Sequence, residues 1–137
     1  MTRAVLDPNV LVSAFISQRG SAPDLIVRAW REGAFELVVS PLLIAELTDV
    51  LGRPKFALQA ADGRAKAYIA ALAGDALQID DPPDPPSVSP DAGDDYLFAL
   101  ALAASADVVV SGDSHLTELA DPTTPVLTPR QFTDQLD

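Results

Sequence analysis

The chain has 137 residues, 48% of them hydrophobic, and a formal net charge of −11 at pH 7, which suits one folded domain over residues 1–137 rather than a disordered segment. The acidic balance argues against a nucleic-acid binder that works by broad electrostatic attraction, but it leaves open a nuclease that reaches phosphate through a divalent metal ion. Cysteine is absent and histidine occurs once, so disulfides and a cysteine–histidine zinc site are excluded.

No apolar run in the sequence is long enough to cross a membrane. The first residues hold one arginine and no long apolar segment, so they do not have the pattern of a secretory signal. We therefore expect a cytoplasmic protein without membrane contact.

Short apolar runs alternate with helical patterns along the chain. The apolar runs predict parallel strands buried on both faces, at residues 4–6, 35–39, 76–79, 107–111 and 125–127. Caps, prolines and periodic apolar residues predict helices at residues 9–16, 24–32, 41–51, 62–73, 92–105 and 114–120 and from residue 129 onward. The alternation predicts an α/β fold in which a parallel sheet of four to five strands has helices on both faces.

Two segments are predicted to be irregular. Residues 53–60 are expected to form a loop. Residues 80–91 contain five prolines and should be extended. Because too little chain follows for a second core, this proline-rich segment is predicted to be a connector rather than a domain boundary.

Acidic residues follow two of the predicted strands at the points where the strands end. Asp7 ends the first strand, and Pro8 then occupies the first position of a helix, where its missing N–H costs nothing. Asp113 ends the strand at residues 107–111. Ligands of open α/β sheets bind at this C-terminal edge, although each residue alone could simply be a helix cap or a turn residue.

Two further acidic positions lie on predicted helices. Asp94 and Asp95 are in the first turn of the most apolar helix, where the helix dipole favours the ionised form. Glu46 shares a helix face with Leu43 and Val50, so it is not simply part of a polar face. Taken singly, Asp94 and Asp95 could simply complement the helix dipole, and Glu46 could extend from the edge of the apolar face to water. The acidic positions on the two strands and the two helices together form a more specific pattern.

Carboxylates that cluster at one edge of a sheet repel one another unless a cation neutralises them. Oxygen ligands select a hard ion, Mg²⁺ or Mn²⁺, over zinc. Such an ion polarises a phosphate oxygen and lowers the pKa of an attacking water. The acidic pattern therefore suits hydrolysis of a phosphodiester bond.

Four stretches of the sequence resemble the motifs of PIN-domain ribonucleases, close to the toxins of VapBC-like toxin–antitoxin systems. The stretches are VLDPNVLVS (5–13), SPLLIAEL (40–47), DDYLFALA (94–101) and VSGD (110–113). Their order and spacing match the family over nearly the whole chain. The resemblance implies a PIN-like three-layer α/β/α fold.

The resemblance also implies a Mg²⁺-dependent endoribonuclease, with Mn²⁺ as an alternative ion. The implied catalytic cluster consists of acidic residues, namely Asp7, Glu46, Asp95 and Asp113. The implied metal ligands are three of these, Asp7, Asp95 and Asp113. The implied supporting residues are polar neighbours, namely Asn9, Asp94 and Ser111.

The family further implies an RNA substrate, a small antitoxin protein as partner, and a homodimer. Leu25, Ile26 and Trp30 fall on one helix face and are a possible dimer contact, although the same pattern suits a face buried in the core. The sequence departs from the family at Pro8, where threonine is usual, and at His115, where aspartate is frequent. The proline at position 8 removes a hydroxyl beside Asp7. The histidine at position 115 removes a carboxylate that could contribute to a second metal position.

Two other functions remain open at this stage. The first is a degenerate PIN-like module that binds a partner without catalysis. The second is a haloacid-dehalogenase-like phosphatase, which would need a second aspartate where Asn9 stands. A metal-dependent RNA cleavage assay separates these two functions from the ribonuclease.

Overall fold

The computed structural model describes residues 1–83, 94–119 and 124–136. Within these ranges a parallel sheet has the strand order β3-β2-β1-β4-β5. Its strands are β1 (Arg3–Leu6), β2 (Glu36–Val39), β3 (Leu77–Gln78), β4 (Val108–Val110) and β5 (Val126–Leu127). The α-helices are α1 (Pro8–Ile16), α2 (Ala22–Arg31), α3 (Pro41–Leu51), α4 (Ala57–Ala60), α5 (Arg64–Asp75), α6 (Asp95–Ala103), α7 (Ser114–Thr117) and α8 (Pro129–Leu136). The predicted α/β/α fold with a central parallel sheet is confirmed.

Strands β1 and β4 lie side by side in the middle of the sheet. The chain moves outward from β1 to β2 and β3, and then returns through α6 to place β4 on the other side of β1. The register pairs Leu6 with Val110, so the next residues, Asp7 and Ser111, leave the same edge of the sheet as neighbours. Open α/β sheets bind ligands where the strand order reverses in this way.

The central strands are apolar on both faces because helices cover both sides of the sheet. Val5, Val38 and Val109 are fully buried, as expected for parallel strands. Helix α6 packs directly on β1 and β4 and buries Leu97 and Leu100 completely. This helix therefore brings its first turn to the sheet edge at which β1 and β4 end.

Polar caps begin the helices that follow β1 and β2. The Oδ1 atom of Asp7 accepts a hydrogen bond from the Asn9 N–H at 3.0 Å, and Ser40 Oγ accepts one from the Leu43 N–H at 3.2 Å. A proline follows each cap, where no helical hydrogen bond is lost. The predicted helix starts at α1 and α3 are therefore confirmed.

The segment after α3 differs from the prediction. Residues 54–60 are helical rather than a loop, while Arg53 stays extended. Pro54–Phe56 forms a 3-10 turn and α4 follows, because the buried phenylalanine ring anchors the turn. Helix α5 begins at Arg64 rather than at residue 62. The reason is that Asp62 and Gly63 have φ angles of 60° and 76°, in the left-handed region that interrupts a helix.

The proline-rich connector lies only partly within the described residues. Its residues 84–91, and the predicted start of a helix at residue 92, fall outside them. At the described end, Asp81 Oδ2 accepts a hydrogen bond from the Leu42 N–H at 2.9 Å. The connector is thereby attached to the first turn of α3.

The helix face suggested as a dimer contact belongs mainly to the core. Ile26 is fully buried and Trp30 nearly so, whereas Leu25 is exposed. The structure therefore favours the core interpretation of this face. The homodimer stays a prediction without a defined contact surface.

The helices of the described ranges are short. None of them is both long and apolar enough to span a membrane.

The fold predicts a specific role for Phe132 in holding α8. Its ring is fully buried and lies edge-on to Phe35, with 5.1 Å between the ring centroids. We expect Phe132→Ala to lower the free energy of unfolding by about 3–5 kcal/mol because it leaves a cavity. Phe132→Leu fills more of the space and should cost clearly less. Urea unfolding measures both losses, and equal losses for the two variants would contradict this role.

Candidate active site

Asp7 is a carboxylate held in the interior at the end of β1. Its side chain is only 5% exposed, and its main-chain N–H donates to the Val110 carbonyl at 2.9 Å, which continues the pairing of β1 with β4. One carboxylate oxygen caps α1 through the Asn9 N–H. The other, Oδ2, accepts a hydrogen bond from the Ser111 hydroxyl at 2.8 Å.

Ser111 connects Asp7 to Asp113. Its hydroxyl is buried, and while it donates to Asp7 it also accepts a hydrogen bond from the Asp113 N–H at 3.0 Å. The Asp113 carboxylate in turn caps α7 by accepting the His115 N–H at 2.9 Å. A single serine therefore fixes two of the predicted acids relative to each other, one at the end of each central strand.

The charge on Asp7 is disfavoured by its surroundings. Burial raises the pKa of this carboxyl, the hydrogen bonds from Asn9 and Ser111 lower it in part, and repulsion from Asp113 raises it further. In the part of the chain that the structure describes, no lysine or arginine forms an ion pair with Asp7. A buried carboxylate with an acidic neighbour and no cationic partner is the electrostatic setting that a bound cation would relieve.

Glu46 approaches this region from the opposite side, on α3. Its Oε2 atom accepts a hydrogen bond of 2.6 Å from the hydroxyl of Tyr96, in the first turn of α6. Burial raises the pKa of the Tyr96 hydroxyl, and the hydrogen bond to Glu46 and the charges of Glu46, Asp7 and Asp94 raise it further. Tyr96 thus remains a hydrogen-bond donor at physiological pH and lies within the combined field of three carboxylates.

Asp94 and Asp95 occupy the start of α6 as predicted. Asp94 is the residue that precedes the first helical position, and Asp95 is the first residue of the helix. The side chain of Asp95 is only 4% exposed. Two of the predicted metal ligands, Asp7 and Asp95, are therefore nearly inaccessible, whereas the Asp113 side chain is 35% exposed.

The predicted acids surround one end of the sheet without forming a compact cluster. Across residues 1–83, 94–119 and 124–136, no three acidic or histidine side chains lie close enough together to bind one metal ion. This geometry excludes a closed protein cage but still suits Mg²⁺, which usually keeps several waters and binds one or two carboxylates together with substrate phosphate. The donor set, made of carboxylates and a serine hydroxyl, fits that ion.

An open cleft adjoins Asp113 and gives a substrate access to this edge. It has a volume of about 290 Å³ and is lined by Asn9, Ser13 and Gly112, among others. The main-chain N–H of Asn9 binds Asp7, and the residue itself is exposed in the cleft. Asn9 therefore lies between the buried acid and the space that a ligand would fill.

Two residues at the site were not predicted as contacts. The contact of Tyr96 with Glu46 joins residues 50 apart in sequence. The side chain of His115 is 77% exposed, but its Nδ1 lies 3.5 Å from the Asp113 carboxylate. Its place two residues after a strand-end acid was the only sequence signal for this contact.

Replacing Asp7 tests whether the site costs stability. Because the folded pKa of Asp7 is raised, the folded state binds this proton more tightly than the unfolded state, and the stability it provides at low pH is lost as pH rises through the folded pKa. We expect Asp7→Asn to melt above wild type at pH 7 in EDTA, by roughly 3–5 °C for each 1 kcal/mol gained.

The exposed acid Asp49, whose side chain is 76% accessible, provides the control. Asp49→Asn should leave the melting temperature almost unchanged, since an exposed charge pair contributes little. The advantage of Asp7→Asn should also shrink as pH falls through the raised folded pKa of Asp7. It should be absent below about pH 4, where the unfolded carboxyl is protonated as well. A mutant that melts below wild type at pH 7 would show that the hydrogen bonds to Asp7 outweigh its burial.

The two tyrosines provide a second pH test. Burial raises the pKa of both Tyr68 and Tyr96 above the usual value, which is about 10. We expect tyrosinate absorbance to appear only with alkaline unfolding, because the raised folded pKa values mean that stability is lost as pH rises above that value. Circular dichroism followed in parallel provides the comparison, and ionisation of either tyrosine in a folded protein would contradict the burial.

The chain is similar to known proteins in both sequence and fold. The sequence profile described as "PIN domain" matches residues 3–115. No curated protein matches the chain. Among solved structures, it is similar to VapBC2 from Rickettsia felis bound to a DNA fragment from their promoter, with a TM-score of 0.58 and 15% identity over 93% of this chain and 98% of that one. It is also similar to FitAcB from Neisseria gonorrhoeae, with a TM-score of 0.57 and 18% identity over the same shares.

Identities this low establish a shared fold and nothing more. The profile match, in contrast, spans most of the chain, from the strand before Asp7 to the turn that holds Asp113. On that ground the protein belongs to the PIN domain family.

Proposed function

We propose that this chain is a Mg²⁺-dependent endoribonuclease, with Mn²⁺ as an alternative ion, and the toxin of a toxin–antitoxin pair in the cytoplasm. The observation that carries the proposal is the linkage of Asp7 through Ser111 to Asp113 at the point where the strand order reverses. Membership of the PIN domain family and the resemblance of the four motifs to VapC-like toxins support it.

The proposed ligands are Asp7, Asp95 and Asp113. Because no three acidic side chains of the described residues lie close enough to bind one ion together, one or two of these carboxylates would contact Mg²⁺ directly and the ion would keep several waters. A bound Mg²⁺ would polarise a phosphate oxygen and lower the pKa of an attacking water. The protein contributes orientation, because Ser111 fixes Asp7 with a hydrogen bond and Asp113 with another. Fixing a ligand by a neighbouring hydrogen bond typically changes metal affinity or activity by about 10- to 100-fold.

Glu46 is the remaining acid of the proposed catalytic group. It is exposed on α3 and its Oε2 is held by Tyr96, so its carboxylate is available to accept a hydrogen bond from the attacking water. Asn9 and Asp94 support the site from the first turn of α1 and from the residue before α6. Neither is required to contact the reacting atoms.

The charge of the chain explains why an ion would be needed. At a net charge of −11, the protein repels the RNA backbone, and the charge on the buried Asp7 is itself disfavoured. A divalent cation between carboxylates and phosphate reverses the local sign of the interaction. Cleavage should therefore depend strictly on metal.

The same negative charge favours a protein partner with a basic segment. We propose a small antitoxin in this role, supported by the resemblance to VapBC-like toxins and by the fold shared with VapBC2 from Rickettsia felis. The proposal also retains the homodimer expected from the family.

The cleavage assay tests the function directly. Wild type should cut single-stranded RNA with Mg²⁺ or Mn²⁺ and lose that activity in EDTA. Asp7→Asn and Asp113→Asn should each lower kcat by at least roughly 100-fold, since each removes a charge on which the ion depends. Circular dichroism establishes that both variants are folded.

Asp49→Asn serves as the matched control, because Asp49 is a solvent-exposed acid that forms only a surface pair with Arg53. Its kcat should stay within about twofold of wild type, in line with a surface pair of little energetic weight. Folded wild-type protein that cleaves no RNA would leave the partner-binding module as the better description. Hydrolysis of a phosphomonoester in place of RNA would favour the phosphatase.

A further inference from the structure

The hydroxyl of Tyr96 joins two helices that bring acids to the site. It donates to Glu46 Oε2 over 2.6 Å, a distance typical of a strong hydrogen bond to an ionised carboxylate. Tyr96 directly follows Asp95 and is two residues after Asp94, so it belongs to the helix start that carries the second group of acids. The contact therefore fixes the distance between α3 and the first turn of α6.

Glu46 needs such a contact because its own helix does not hold it in place. It is exposed on α3, and an exposed glutamate samples many rotamers. The residues beside it on the core face, Leu43 and Leu47, are fully buried and fix the helix but not the glutamate side chain. The hydrogen bond that the hydroxyl of the half-buried Tyr96 donates restricts the carboxylate to one orientation.

From this geometry we propose that Tyr96 is a positioning residue that orients Glu46 for RNA cleavage, an inference that rests on the proposed function. The hydroxyl occupies Oε2 and so makes Oε1 the oxygen with which Glu46 acts on water or substrate. Tyr96 itself takes no proton and contacts no reacting atom. Its effect should therefore appear in kcat and should require Glu46.

Tyr68 provides a matched control because it is also a partly buried tyrosine with a donated hydroxyl. Its hydroxyl donates to the main-chain carbonyl of Leu11 at 2.7 Å, and its ring packs on Phe15 with 4.9 Å between centroids. It therefore joins α5 to α1 without touching an acid. Tyr68→Phe should alter stability without altering cleavage.

A double-mutant cycle tests the proposal, with wild type, Tyr96→Phe, Glu46→Ala and the double variant assayed at saturating metal. We expect Tyr96→Phe to lower kcat by about 10- to 100-fold with KM within about twofold, as for the loss of an orienting hydrogen bond. In the Glu46→Ala background the same substitution should change kcat by less than about twofold, because the two residues then act as one unit. Affinity for Mn²⁺, measured by calorimetry without RNA, should stay within about twofold in Tyr96→Phe, because Glu46 is outside the proposed ligand set.

Three outcomes would overturn the inference. A kcat close to wild type in Tyr96→Phe would show that Glu46 needs no orientation. If Tyr96→Phe lowers kcat as much in the Glu46→Ala background as in wild type, Tyr96 acts independently of Glu46. A loss of Mn²⁺ affinity would show that Tyr96 acts through the metal.

The assay also separates this inference from the proposed function. If wild type cleaves no RNA, both fail. If wild type cleaves RNA and Tyr96→Phe cleaves it equally well, only this inference fails. If Tyr96→Phe folds poorly, Tyr96→Leu, which also lacks a hydrogen-bond donor, must show the same loss in kcat.

Discussion

The parallel pairing of β1 with β4 is the constraint on which the site depends. Because Leu6 is in register with Val110, the two chains leave the sheet together, and the next side chains, Asp7 and Ser111, come within hydrogen-bond distance. Any shift of one residue in this register would turn a buried carboxylate to the opposite face. The apolar packing of the central strands therefore determines the chemistry at their ends, since the register that buries the valines also joins the acids.

The same packing creates an electrostatic conflict that the fold only partly resolves. Asp7 is 5% exposed, and burial of an ionised carboxylate is costly unless hydrogen bonds or a cation compensate. Asn9 and Ser111 supply two hydrogen bonds, but Asp113 adds repulsion. An apolar or amide side chain at this position would avoid that cost. Under the proposed function, the cost is accepted because the carboxylate is needed to bind the cation.

The sequence predicts the strands and the strand-end acids because both follow from local patterns and from the geometry of parallel sheets. The sequence does not predict the local structures and side-chain contacts that depend on tertiary packing. Residues 54–60 have no strong helical pattern, yet a buried phenylalanine holds them in helical turns. The contact of Tyr96 with Glu46 depends on how α3 and α6 are rotated toward each other, and side-chain periodicity within one helix gives no such information. The geometry of a parallel sheet fixes the edge at which Asp7 and Asp113 lie. The positions of the acids on α3 and α6 depend instead on how these helices pack, so the sequence predicts only that all four lie toward the same edge.

The acidity of the chain limits how it could recognise RNA. The net charge of −11 gives no overall long-range attraction to phosphates. Under the proposed function, affinity for RNA would therefore come from short-range contacts and from a bridging ion. The cleft beside Asp113 is lined largely by small or uncharged residues such as Ser13 and Gly112, and in the proposed function it would receive the backbone and the 2′-hydroxyl of an unpaired strand. A nuclease of this kind would bind few RNAs well, because sequences that do not fit the cleft gain nothing from non-specific electrostatics. The surface charge that initially argues against a nucleic-acid enzyme is thus compatible with a selective one.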